Sequence, residues 1–156
     1  MGEQVAGQPV RMTAELQLAG ELNRLSQLMT RPFLRLHSEK HAISLAEWRA
    51  LVQIVAAPGI TATEICSRTG LTAMNVSRAV QLLRAAGRVT GERDTQDSRR
   101  NLLTATPQGR TLFDELAPSA ERDIREILSV LNTDELAFFT ALVTRVAAHA
   151  DRTQDP

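Results

Sequence analysis

The 156-residue sequence contains one cysteine, Cys66, so no intramolecular disulfide is available and an apolar core must hold the fold. A chain of this length buries such a core without disulfides or metals. Aromatic side chains are scarce: Trp48, four phenylalanines and no tyrosine. Nowhere does an apolar run approach the roughly 20 residues that span a bilayer, which argues against a membrane protein. Met1 to Ala6 lack the basic-then-apolar pattern of a secretory signal, and Ala6 does not suit a myristoylation site. No glycine-rich phosphate loop appears, and no Ser, Cys or His stands in a nucleophile setting. The expectation is a soluble cytoplasmic protein that is not an enzyme and carries no cofactor.

Charge of one sign is missing overall, since 18 basic residues balance 18 acidic ones. Its distribution is uneven, however. Between Arg68 and Arg100 there are seven arginines against Glu92, Asp94 and Asp97, so this stretch is net +4 and the rest net −4. Local excess of this kind is what a nucleic-acid surface needs. Lys40 is the only lysine, and this preference for arginine suits phosphate contacts, although genomic base composition explains it as well.

The helical periods are clear. Thr13 is placed to cap a first helix carrying Leu18, Leu22, Leu25, Met29, Phe33 and Leu36 on one stripe, with a kink or break expected at Pro32. Ser44 and Glu47 form a capping box that opens a helix with Leu45, Trp48, Leu51, Val52 and Val55 inward, ended by Pro58-Gly59. Thr61 and Glu64 form another, opening a short helix that Gly70 closes. Thr72 caps the next helix, with Val76, Ala79, Val80 and Leu83 inward and Gly87 at its end.

Residues 88–93 and 100–106 are predicted to pair as a hairpin around the polar tip Asp94 to Arg99. Thr106-Pro107 starts a long helix bearing Leu112, Phe113, Leu116, Ile124, Ile127, Leu128 and Leu131, with Pro118 placed to bend it. Asn132 or Thr133 caps a last helix with Leu136, Phe139, Leu142, Val143 and Val146 on one face. The fold class is therefore mainly α with a small β-hairpin wing: a winged helix-turn-helix core (44–105) plus a helical dimerisation region (13–37 and 107–150), one domain over 13–150 with flexible ends at 1–12 and 151–156. The outer helices carry more apolar surface than one small domain covers, which points to a partner chain.

A short capped helix, a turn and a second capped helix make a helix-turn-helix. The turn is Thr69 to Thr72, where Gly70 permits a left-handed backbone and Leu71 plugs the angle between the helices. Any αα-hairpin has such caps. The start of the second helix is more specific: Thr72, Ala73, Met74, Asn75, Ser77 and Arg78 put small and polar groups where they fit a major groove. There Asn reads adenine and Arg reads guanine or grips phosphate. Arg99 and Arg100 at the hairpin tip suit the minor groove, with Asp97 placed to hold Arg99 by a bidentate pair. Taken alone, the Asp/Arg cluster also fits a solvated turn.

This pattern resembles the MarR family of bacterial regulators. The resemblance runs through Leu71 to Val80, Leu83, Gly87, then Asp97-x-Arg99, Leu103, Thr106 and Gly109, with the Ser44 box and Trp48 to Leu51 upstream. Ala105 stands where the family usually has Leu. It implies a homodimer on double-stranded, pseudo-palindromic operator DNA, usually a repressor, released by a small ligand or by oxidation. It also implies an effector pocket, with Phe33, His37, His41, Trp48 and Arg49 as its neighbours; an apolar wall with a cationic rim suits an aromatic acid. Ordinary packing of the first two helices is the alternative.

Three further readings stand beside it. Cys66 lies away from the first helix, where oxidation-sensing relatives keep their cysteine, and is expected in the core rather than as a sensor. His37 and His41 have helical metal-ligand spacing, with Glu39 between them and His149 elsewhere, so a metal-responsive regulator is an alternative. No metal site is assigned. A winged-helix interaction module without DNA binding is the other, disfavoured by Arg78, Arg99 and Arg100.

Overall fold

The computed structural model describes residues 12–97 and 100–154. Helix α1 (Ala14–Phe33) starts at Thr13, whose hydroxyl accepts from the Leu16 N–H. Pro32 does not break it. The helix runs through Pro32 and then widens into a π-helical segment (Leu34–Ser38) before a final α turn, α2 (Glu39–His41). A proline inside a helix removes one N–H donor, and a π segment is a common way for a helix to absorb a local irregularity.

The next three helices are α3 (Leu45–Ala56), α4 (Ala62–Thr69) and α5 (Ala73–Ala85). Both capping boxes form. The Ser44 N–H donates to Glu47 Oε2 at 3.0 Å and the Glu47 N–H donates to Ser44 Oγ at 3.2 Å. Thr61 and Glu64 repeat the exchange at 2.8 and 3.3 Å. Strands β1 (Val89–Arg93) and β2 (Asn101–Ala105) pair antiparallel, with Val89 opposite Ala105 and Arg93 opposite Asn101. They are one residue shorter than predicted at Arg88, Arg100 and Thr106, because those residues make the closing bonds of the loop and the next helix cap instead. Helices α6 (Pro107–Leu128) and α7 (Thr133–Gln154) complete the chain. Asn132 is the cap of α7: its Oδ1 accepts from the Glu135 N–H at 3.0 Å.

One core joins α3, α4, α5, the hairpin and the start of α6. Leu51, Ile54, Ile65, Val76, Leu83, Leu103 and Leu116 are among its fully buried members. Val52, Val55 and Leu45, expected inward, are only partly buried and pack on its rim. The α3 face is rotated from the predicted one, with Ala50 and Ile54 at its centre. Ile60 adds a contact that periodicity does not show. Leu103 donates to its carbonyl at 2.9 Å, while the Gly59 N–H donates to Leu103 O at 2.8 Å, so the chain between α3 and α4 extends the hairpin.

The hairpin is locked to α6 as well. Thr106 donates its hydroxyl to Gly87 O at 2.7 Å and its N–H to Arg88 O at 3.0 Å. A Cβ on Gly109 would lie 2.0 Å from Arg88 O, so this crossing admits only glycine.

Candidate nucleic-acid interface and adjoining cavity

The α4–α5 turn is built from local bonds. Gly70 sits at φ +67° and its N–H donates to Cys66 O at 2.9 Å. The Thr69 hydroxyl donates to Ile65 O at 2.6 Å and accepts from the Leu71 N–H at 3.3 Å, which leaves Leu71 packed against the core. Thr72 Oγ1 accepts from the Asn75 N–H at 3.3 Å. With Val76, Ala79, Val80 and Leu83 buried, the helical period turns the other side of α5 outward. Thr72, Ala73, Met74, Asn75, Ser77 and Arg78 are all exposed, and no acid stands in the first turn. The structure therefore brings the six candidate residues of this helix onto one open face.

The wing differs in detail. Asp94 accepts the Gln96 N–H on Oδ1 at 2.9 Å, and its own N–H donates to Arg100 O at 3.0 Å. The Arg100 N–H donates to Asp97 O at 2.9 Å. The Arg100 guanidinium lies 3.9 Å from Asp94 and 4.0 Å from Glu64 at the start of α4, drawn back toward the body rather than standing at the tip. The Glu64 carboxyl is held below the usual carboxylate range by hydrogen bonds from Thr61, with Arg100 and Arg68 adding to the effect. Arg99, and with it the expected Asp97–Arg99 pair, lies outside the described residues.

A cavity of about 660 Å³ opens between α1, α3, α6 and α7. Phe33, Trp48 and Arg49 line it, as do Arg68, Phe113 and Asp123, three residues that the sequence did not assign to the pocket. Their helical stripes were visible, but which stripes meet is a tertiary matter. Three rings form its aromatic wall: Phe33 on Trp48 at 5.4 Å and Trp48 on Phe113 at 5.7 Å, both nearly parallel.

His37 and His41 are not among the lining residues. They sit on the seam between the end of α1 and α6. Ser119 Oγ lies 2.6 Å from His37 Nε2, a hydrogen bond whose direction follows the imidazole tautomer, and 3.1 Å from Leu116 O. Burial, and then the neighbouring His41, hold the His37 pKa below its ordinary value. His41 Nε2 lies 3.7 Å from Glu115. Among the described residues no three His, Cys, Asp or Glu side chains gather as a metal site, and His149 is exposed on α7. Cys66 is half-buried on α4 and packs on the core. No single helix among the described residues is long and apolar enough to cross a membrane.

The MarR family sequence model matches residues 43–100, the stretch from the start of α3 to the end of the wing loop. The HTH-type transcriptional regulator PapX of Escherichia coli is 22% identical over 90% of this chain and 85% of its own length. Among solved structures, the PcaV transcriptional regulator from Streptomyces coelicolor, in complex with its natural ligand, superposes with a TM-score of 0.72 at 27% identity, covering 94% of this chain and 99% of that one. BpsR of Bordetella bronchiseptica, whose DNA binding is regulated by 6-hydroxynicotinic acid, gives 0.73 at 22% identity over 84% and 98%.

Proposed function

We propose that the chain is a winged-helix transcriptional regulator of the MarR family, and that it acts in the cytoplasm as a homodimeric repressor, released from a pseudo-palindromic operator when a small acid fills its cavity. It is a DNA-binding regulator and not an enzyme. The open face of α5, polar and cationic with its apolar side sunk in the core, carries the reading. Asn75, Ser77 and Arg78 enter the major groove, while Arg99, oriented by Asp97, enters the minor groove beside it. Arg100, tied toward Glu64, braces the wing and meets phosphate.

Two copies are needed to read two half-sites about one helical turn apart, roughly 34 Å. The segments 13–37 and 107–150 supply the contact. Effector release is supported by the cavity, which sits where these segments meet α3 and α4, with an aromatic wall and Arg49 and Arg68 on its border. Two similar regulators are described with a small-molecule ligand.

Selection of bound sequences from random duplex DNA, with footprinting on the winner, tests this. A two-fold symmetric site protected by two subunits is expected. Recovery of no preferred sequence would favour an interaction module without DNA reading.

A further inference from the structure

We infer that Arg88 fixes the spacing of the half-sites this regulator accepts, because its side chain ties the DNA-reading lobe to the end of the first helix. This rests on the reading of the chain as a dimer that binds two half-sites. Arg88 is half-buried where α5 gives way to β1. Its guanidinium donates from Nη2 to His41 O at 2.7 Å and from Nη1 to Ala42 O at 3.2 Å. Both carbonyls belong to the end of α2, where the first helix, its π segment and its last α turn stop. The last carbonyls of a helix have no partner within it. Ala42 takes a left-handed backbone at φ 45°, alone among the described residues other than glycine. Its N–H donates to Glu39 O at 3.4 Å and the Ile43 N–H donates to Ser38 O at 3.2 Å, the pair of bonds that closes a helix on what is usually a glycine. That turn serves the Ser38 and Glu39 carbonyls, and Arg88 takes two of those that remain. A cation here also suits the helix dipole.

The backbone of Arg88 is held from three sides. Gly87 ends α5 at φ +68°, with its N–H on Arg84 O and the Arg88 N–H on Leu83 O, both at 2.9 Å. Arg88 O accepts the Thr106 N–H at 3.0 Å and abuts Gly109 of α6. One residue thus joins α5, the wing and α6 through its backbone and the first helix through its side chain. Other polar links described for the end of the first helix run to α6: His37 to Ser119, and Lys40 and His41 to Glu115. Lys40 and Glu115 are both more than half exposed, and exposed ion pairs hold geometry weakly. Phe33 and Ile43 are buried, but apolar burial is not directional. In a dimer held by the terminal helices, the angle between those helices and each lobe sets how far apart the two α5 helices stand. One base pair more or less shifts a half-site by about 3.4 Å along the DNA axis and by about a tenth of a turn around it. To follow, the lobes must swing against the Arg88 bonds.

The probes are the duplex selected from random DNA by the full chain, and versions of it with one central base pair added or removed. The parent should bind its own spacing at least about tenfold more tightly than either neighbour, the scale of one lost hydrogen bond from a charged group. Arg88→Met keeps the apolar stem and drops the donors. It should remain a folded dimer, select the same half-site sequence, and bind the three spacings to within about threefold, because the penalty imposed by the bonds is gone. Arg88→Lys, which keeps the charge and reaches one carbonyl, should fall between. An unchanged spacing preference in folded Arg88→Met would overturn the inference and leave DNA reading standing, as would a parent indifferent to spacing. A changed half-site sequence in Arg88→Met would overturn it too, since Arg88 would then be reading DNA itself. If only Arg88→Lys folds, a weaker spacing preference than the parent's supports the inference and an equal one overturns it. If neither variant folds and dimerises, Arg88 serves stability and the inference is wrong. If the parent selects no sequence, the regulator reading fails and this inference with it.

Discussion

At the scale of single residues, the contacts differ most in how replaceable they are. Gly109 has Arg88 O where a side chain would begin, and the obstacle is backbone on both sides. Gly109→Ala should cost about 3 kcal/mol by forced displacement at a packed crossing, and should loosen the wing first, visible as faster amide exchange in Val89–Arg93. Asn75 has no structural duty beyond the cap bond made by its N–H, which any residue but proline provides. Asn75→Ala should leave the fold unchanged and relax base preference at one position per half-site, by roughly 1–3 kcal/mol. Arg99→Ala should weaken all sequences together and flatten the salt dependence. Titration of labelled operator against each variant at several salt concentrations separates the two behaviours.

His37 carries a pH prediction. Burial and His41 depress its pKa from 6.5 in the folded chain, while Asp123 and Glu115 pull the other way and Lys40 adds to the depression. The unfolded chain therefore takes up the proton first. The folded state keeps its full stability above about pH 6.5 and loses it as pH falls through the lower folded-state value. His37→Gln should shrink this loss, measured as the urea midpoint between about pH 7.5 and 5.

At the scale of elements, helix starts were the most legible feature. Thr13, Ser44, Thr61, Thr72, Thr106 and Asn132 all cap as their positions imply, because a cap is a bond between residues two or three apart. The Ser44 box is also part of the core's edge, since Glu47 is buried and its carboxylate donates nothing: it accepts from the Ser44 N–H and from Ser44 Oγ at 2.7 Å. Ser44→Ala should cost ~1–2 kcal/mol, the upper end because Glu47 loses one of its two donors. Thermal unfolding of the variant beside Thr13→Ala, an exposed cap, gives the comparison. Less legible was the extension of the hairpin by Ile60. A lone residue between a Gly and a Thr carries no alternation, and its pairing depends on Leu103, far along the chain.

At the scale of the whole molecule, the single chain is well packed at its centre and open at both ends. Leu16 and Leu18 on α1 are 61% exposed, and Val146 on α7 is 62% exposed. An apolar surface this extensive, on two long helices, requires cover. A dimer burying at least ~2,000 Å² in total is expected. Sedimentation showing a monomer at micromolar concentration would refute it.

What the sequence determined by itself is local: where helices begin, where glycine must turn the chain, which face of α5 is apolar, and hence which face is left exposed. These depend on spacings of four residues or fewer, where one backbone period decides which side chains share a side. The meeting of distant stripes was left to tertiary structure. Phe33, Trp48 and Phe113 stack although their helices are separated along the chain, Arg68 and Asp123 come to one cavity, and His37 turns from it to Ser119. The physical reason is that helices pack by the fit of whole surfaces. Whether a charged residue on a stripe ends in solvent, in a cavity or against a neighbour depends on angles and offsets that no single period encodes.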